Sequence, residues 1–314
     1  MSLAPIALFA YKRPEHVRRT LESLSRCTLA PQSRLFVYCD GPQSAADSEA
    51  VQGVHRVVEG SAWCGEVTVV KRARNRGLAR SVIDGVTELC AAEGRVIVLE
   101  DDMLLSSGFL EYHNNALRRY AESERVLQIS GHVFPFPPVS SAEDAFFMPL
   151  STSQGWSTWA RAWALFDPEI TGWERLFYEP AVRRRFDLDG AYPYRSMLVD
   201  QLQGNVDSWA ICWWWSFFVN NGLCLFPRRS LLVNIGFDEQ ATHTTGGDRS
   251  YNDPDWSEGR SVQRLPRLVA VDDESFERLK WYLLRSRNPP LTALLSHLAR
   301  RLVGGWIGAA PGCL

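Results

Sequence analysis

"RVIVLEDDMLLSSGFLEY", residues 95–112, runs four apolar residues, Val96 to Leu99, into three consecutive carboxylates, Glu100, Asp101 and Asp102, and then turns apolar again. A short apolar run of this length bounded by polar residues reads as a buried strand. Phe109, Tyr112, Leu117 and Tyr120 then recur at helical spacing. Three carboxylates a few ångströms apart repel by roughly 4 kcal/mol per close pair at an effective dielectric near 20. The stretch therefore calls for a compensating charge at the end of a core strand.

The same strand, turn and helix rhythm extends toward the N-terminus. "PIALFAY" (5–11) is a short apolar run followed by Lys12-Arg13-Pro14, with Val17, Leu21 and Leu24 on one helical face. Pro14 suits the first turn of that helix, where a missing N–H costs nothing. "RLFVYCD" (34–40) and "EVTVVKR" (66–72) read as further strands. Each is trailed by a helical stripe: Val51, Val54 and Val58 after the first, then Leu78, Val82, Val86 and Leu89 after the second. "RVLQISG" (125–131) reads as a fifth strand. Strands alternating with amphipathic helices predict an α/β fold, Rossmann-like, with a mostly parallel sheet flanked by helices. Ligands in such sheets collect at the carboxyl ends of the strands. Arg13, Asp40, Asn75-Arg76 and Glu100 to Asp102 all fall just beyond expected strand ends, so they are expected to line one rim.

Bulk properties narrow the class. With 46% hydrophobic and 22% charged residues in 314, the chain has the composition of a folded globular protein. Its net charge of -2 encodes no general attraction to nucleic acid, so any phosphate recognition has to be local. The seven cysteines (Cys27, Cys39, Cys64, Cys90, Cys212, Cys224 and Cys313) are odd in number and never spaced as CxxC, against both a disulfide framework and a zinc site. A reducing, cytoplasmic setting is expected. The first apolar run lacks a basic leader and is too short to span a bilayer, so neither signal peptide nor membrane anchor is expected.

From about residue 132 the rhythm breaks at "VFPFPPVSS", and eight of the twelve tryptophans follow between Trp156 and Trp215. Trp159 and Trp163 stand at i, i+4, and Trp213 to Trp215 cannot all face one side of a helix, so part of this set belongs to the core. Trp156 and Trp209, beside Gly or polar residues, are the expected platforms for the apolar faces of a sugar. In the tail, Leu291, Leu294, Leu295, Leu298 and Leu302 share a helical face beside Arg300 and Arg301. That helix either docks on the body or makes peripheral membrane contact through residues 291–306.

A carboxylate cluster at a strand end is well placed to hold a hard divalent cation, Mn2+ or Mg2+, completed by substrate phosphates. The plainer alternative is a solvated acidic turn. The ordered set "ALFAYKRPEHVRRTLESL", "LFVYCDGP", "NRGLARSV" and "VIVLEDDMLLSSGFLEY" resembles the donor-binding half of nucleotide-sugar glycosyltransferases with the GT-A fold. The likeness is nearest to the N-acetylglucosaminyltransferase I type, with family-2-like enzymes next. It covers residues 5 to about 130 and thins afterwards to "GWSTWARAW", "VDSWA" and "FPRRSLLVNIGFDEQATH".

The resemblance implies a division of labour. Residues 1–131 would form the donor half, 132–285 the acceptor and catalytic half of the same domain, and 286–314 the helical tail. Arg13 would contact the diphosphate or base, Asp40 the nucleobase, and Arg76 would sit in the donor loop. Glu100 and Asp101 would hold ribose and sugar hydroxyls, Asp102 would be the main metal ligand, and His243 would reach the metal or diphosphate. Asp207 would be the base that takes the acceptor hydroxyl's proton in an inverting transfer. The similar family carries an acidic pair where this chain has Asp207-Ser208, which keeps Asp200 in reserve. His132, after "QISG", would line the acceptor cleft or be structural, and blander roles exist for others: a turn residue for Asp40, a helix N-cap for Asp207, a surface loop for His243. Residues 242–253 have the composition of a lid.

The expected activity is transfer from a UDP-sugar, such as UDP-N-acetylglucosamine, to a glycan or lipid-linked glycan. A dehydrogenase or nucleotidyltransferase is disfavoured because "ALFAYKRPEHV" has no glycine where a phosphate-binding loop needs several. The rival from another class is a noncatalytic carbohydrate-binding or assembly protein on a degenerate GT-A fold.

Overall fold

The computed structural model describes residues 2–236 and 252–287. In the first half, β1 (Ile6–Ala10), β2 (Arg34–Cys39), β3 (Glu66–Lys71) and β4 (Arg95–Glu100) alternate with α1 (Pro14–Ser25), α2 (Ser48–Glu59) and α3 (Leu78–Glu93). These four strands lie parallel, β1 paired with both β2 and β4, and β2 with β3. Every residue of β1 is buried, as the continuous apolar run requires of a strand covered on both faces.

A short β5 (Met103–Leu105) and α4 (Phe109–Arg119) lead to β6 (Val126–Ser130). The expected break after residue 131 is not a break in the sheet. β7 (Ala145–Met148), β8 (Trp156–Trp159) and β9 (Leu223–Pro227) all join it, giving the order β3-β2-β1-β4-β8-β6-β9-β7. β8 is wedged antiparallel between β4 and β6, β9 runs parallel to β6, and β7 closes the edge antiparallel to β9. The result is a large, mostly parallel eight-stranded α/β sheet flanked by helices. β10 (Leu232–Asn234) pairs with β5 in a separate ribbon.

The wedge strand organises both faces. Because side chains alternate along a strand, Ser157 and Trp159 point to one face, where the Ser157 hydroxyl meets His113 Nδ1 at 2.7 Å and Trp159 Nε1 donates to Leu117 O at 3.0 Å, both on α4. Trp156 points to the other. There it stacks on Trp209 and Trp213 of the long aromatic helix, with ring centroids 5.2 and 6.4 Å away. That helix is reached through α5 (Ala160–Trp163), α6 (Arg175–Tyr178), α7 (Pro180–Phe186) and α8 (Tyr194–Leu202), and is α9 (Trp209–Val219). Nearly all of α9 is buried: Trp213 packs toward Trp163, and Trp214 and Trp215 toward Phe186. All three tryptophans of the "WWW" run are therefore core residues, because other elements cover most of the helix.

α10 (Asp273–Arg287) ends the described chain, so the membrane-or-docking question for residues 291–306 lies outside it. Among the described residues no helix is long and apolar enough to cross a membrane. Their six cysteines are free and buried.

Candidate functional site

The carboxyl ends of β1 and β4 bring Arg13 against the acidic triplet. Arg13 stands at the N-cap position of α1 without a side-chain cap bond, and its Nη2 donates both to Asp101 Oδ1 and to Asp102 Oδ2, the latter at 2.8 Å. Asp101 and Asp102 are buried, 5% and 7% exposed, so this pairing is sheltered from solvent screening. Backbone groups fix the turn further. Tyr11 N donates to Asp101 Oδ2 at 3.3 Å, and the Thr20 hydroxyl donates to Asp101 O at 2.9 Å and accepts from Met103 N at 3.1 Å.

One arginine does not neutralise three acids. Although Glu100 keeps some exposed surface, burial and then the charges of Asp102 and Asp101 push its carboxyl up to about 8, against the opposing pull of Arg13. Burial also raises Asp101, with Arg13 pulling the other way. Burial disfavours the Arg13 cation, but the two aspartates outweigh it and raise its pKa.

The second half of the chain comes back to this turn. Ile235 N donates to Asp102 O at 2.8 Å, and Asn234 Nδ2 lies 3.4 Å from Asp102 Oδ1. Gly236 abuts the same side chain: a Cβ there would collide with Asp102 Oδ2 and lie 2.8 Å from its Cγ and 3.0 Å from Arg13 Nη1. Asn252, beyond residues 237–251, exchanges two hydrogen bonds with the Asn234 backbone at 2.9 and 2.7 Å. His243 falls in the intervening stretch, outside the described residues, as does nearly all of the expected lid.

Asp40, at the end of β2, is buried and accepts from three backbone donors. Its oxygens accept from the backbone N–H groups of Gly41 (2.9 Å), Arg76 (2.9 and 3.1 Å) and Gly77 (3.0 Å). Three backbone donors take up most of the roughly four acceptor sites of a carboxylate, so the structural part of Asp40 lies in the loop it binds. Asp40 is a clamp that holds the 75–77 loop, a stronger version of the turn role. The Arg76 guanidinium, likewise, pairs with Asp84 of α3 at 2.9 Å, so it is the backbone of Arg76 that meets Asp40.

Asp207 and Asp200 are both exposed. The N-cap of α9 is Ser208, and no side-chain cap bond forms there, so Asp207 does not serve as the cap. Instead its Oδ2 lies 3.7 Å from where a Cβ at Gly77 would stand, which brings it to the Asp40-held loop; Gly77 itself has φ +80°, a conformation that favours glycine. Asp200 faces away toward the α8–α9 turn, 3.4 Å from Asn205 Nδ2.

Trp156 and Trp209 are not sugar platforms. Trp156 has no exposed surface and Trp209 only 4%, because each covers the other's face within the aromatic core. Their Gly and polar neighbours gave no sign of this, since burial was decided by β8 entering the sheet interior.

The sequence does not single out Asn234 and Gly236, which lie within "FPRRSLLVNIGFDEQATH", nor Tyr11 and Asp47. The Tyr11 hydroxyl donates to Asp47 Oδ2 at 3.0 Å and accepts from Gln43 N at 3.1 Å, tying the loop after β2 to the turn after β1. No sequence pattern marks such a long-range pair.

Among the described residues no group of three or more His, Cys, Asp or Glu side chains is arranged to hold a metal by itself. Compared with protein-family models and with curated proteins, the chain matches none.

Proposed function

We propose that the chain is a metal-dependent, inverting glycosyltransferase of GT-A-like architecture. It would move a sugar from a nucleotide-sugar donor, a UDP-sugar such as UDP-N-acetylglucosamine, to a glycan or lipid-linked glycan. The observation that carries the reading is the meeting of Arg13, Asp101 and Asp102 at the carboxyl ends of two adjacent parallel strands, with Asp207 brought from the other half to the neighbouring loop.

The donor set fits Mn2+ or Mg2+. Such ions take hard oxygen ligands, commonly one or two carboxylates with the rest from substrate phosphates, and Asp102 would be the carboxylate that this chain supplies, with Glu100 and Asp101 left to ribose and sugar hydroxyls. Gly236 packs directly against Asp102, where a residue with a side chain would collide with the carboxylate. When bound, the ion would offset charge developing on the leaving diphosphate. Arg13 holds Asp102 in place and contributes a second positive charge to the rim. Asp40 shapes the 75–77 loop. Asp207 takes the proton from the acceptor hydroxyl as its oxygen attacks the anomeric carbon. The bond from that carbon to the phosphate oxygen breaks, and nucleoside diphosphate leaves.

Thermal unfolding with UDP and a panel of UDP-sugars, with and without Mn2+, tests this. The expected result is stabilisation that requires both nucleotide and metal, that Asp102→Asn removes, and that Asp207→Asn keeps while losing transfer. A carbohydrate-binding module without donor chemistry gives no nucleotide-dependent shift, and that outcome would sink the transferase reading. Transfer by Asp207→Asn would remove Asp207 as the base and bring Asp200 to the test.

A further inference from the structure

A second cleft, of about 270 Å³, opens on the same rim of the sheet. Its position follows from the strand register. Trp156, the first residue of β8, lies opposite Val98 of β4 and Ser130 of β6, so the loop 151–154 before β8 and the segment after β6 both emerge beside the acidic turn. The first turn of α9, next to Asp207, completes the cleft.

One wall is aromatic: Tyr192, Tyr194 and Trp214 follow one another with centroids 4.6 and 5.2 Å apart. The facing loop is rich in hydroxyl and amide groups, and it is fixed from beneath. Buried Gln128 of β6 donates to Thr152 O at 2.7 Å and accepts from Thr152 N at 2.9 Å. Two lining residues carry buried polar atoms without a hydrogen-bond partner among the described residues, Gln154 Oε1, an acceptor, and Trp214 Nε1, a donor. Buried polar atoms are normally satisfied, so each exception needs an explanation. Among the described residues, none that lines the cleft is Asp, Glu, Lys or Arg.

We infer that this cleft receives one uncharged sugar ring, the terminal residue of the acceptor, on the aromatic wall of Tyr192 and Tyr194, backed by buried Trp214, and the polar edge at Thr152 and Gln154. The inference rests on the transferase reading for the word acceptor. A sugar presents apolar C–H faces to aromatic rings and hydroxyls at its edge, and a hydroxyl, as both donor and acceptor, supplies the complement of Gln154 Oε1 and of Trp214 Nε1. A uronic acid or sugar phosphate would lose hydration with no described lysine or arginine in the lining to compensate, His132 being the one lining side chain that can become cationic.

The test uses the full chain without nucleotide and follows tryptophan indole N–H resonances by NMR, with Trp214→Phe assigning the Trp214 signal. The probes are methyl glycosides of glucose, galactose, mannose and N-acetylglucosamine, set against glucuronate and glucose 6-phosphate. At least one neutral glycoside is expected to shift the Trp214 resonance saturably, and neither charged sugar is. Gln154→Leu and Tyr192→Ala are expected to weaken that binding by about tenfold while leaving the stabilisation by UDP and Mn2+ unchanged, which also shows that they fold. The inference is overturned by silence from every neutral glycoside, by equal binding of the charged sugars, or by undiminished binding in both variants. Neutral-sugar binding without any nucleotide effect would keep the subsite and discard the transferase reading.

Discussion

Arg13 Nη2 bonds to the side chains of both Asp101 and Asp102, residues 88 and 89 positions further along the chain, reaching Asp102 Oδ2 at 2.8 Å. One cation therefore holds the acidic turn at the end of β4 against the turn at the end of β1, and it does so in a largely buried setting.

Replacing Arg13 leaves two aspartates buried without their partner. Loss of one member of a buried ion pair costs about 3–5 kcal/mol, so Arg13→Met is expected to lower unfolding stability by that amount in urea titrations. If a divalent cation binds the same turn, Mn2+ should recover more stability in the variant than it adds to the parent protein. Equal effects on both would argue against a shared site.

Gly236→Ala places a methyl group against Asp102, which Arg13 and Asn234 already hold. Overpacking of this kind costs about 1–3 kcal/mol. The expected result is a modest fall in melting temperature together with loss of the nucleotide- and metal-dependent shift. A variant that keeps the full shift would show that Asp102 need not stay where it is.

Asp40→Ala strips the acceptor from the amides of Gly41, Arg76 and Gly77. The expected cost is about 1–3 kcal/mol, and hydrogen exchange at Arg76 and Gly77 should accelerate. Exchange unchanged from the parent would mean that the 75–77 loop is held by other contacts.

His113 sets an acid limit. Burial pulls its pKa from 6.5 down to about 3, and its Nδ1 is 2.7 Å from the Ser157 hydroxyl. Between those two values the unfolded chain binds a proton here that the folded chain does not. Its contribution is therefore complete above the unfolded value and is lost as pH falls toward the folded one, by at most about 1.4 kcal/mol per pH unit. Urea unfolding across acidic pH should show a shallower loss in His113→Gln than in the parent; parallel slopes would remove His113 from the account.

Much of the first half could be read directly. Periodicity located β1 to β4, β6 and their helices to within a residue or two at most ends, because each strand is a continuous apolar run and each helix has a single buried stripe. β7, β8 and β9 escaped that reading. "AFFM", "WSTW" and "LCLFP" are four or five residues long and carry no period that separates strand from helix. What makes them strands is the open edge beside β4 and β6, which only the assembled sheet presents. The site divides in the same way. Arg13 and the triplet stood out because charges at the ends of apolar strands are conspicuous, whereas the clamp role of Asp40 and the burial of Trp156 depend on partners more than thirty positions away.

By itself, then, the sequence determined an α/β chain whose parallel strands end in charged residues on one rim, because local hydrophobic period and strand-end polarity are properties of neighbouring residues. Tertiary structure alone decided which of those charges pair, which tryptophans are sealed inside, and that Asp207 comes to lie beside Gly77. Such outcomes follow from contacts between segments far apart in the chain, which no local pattern records.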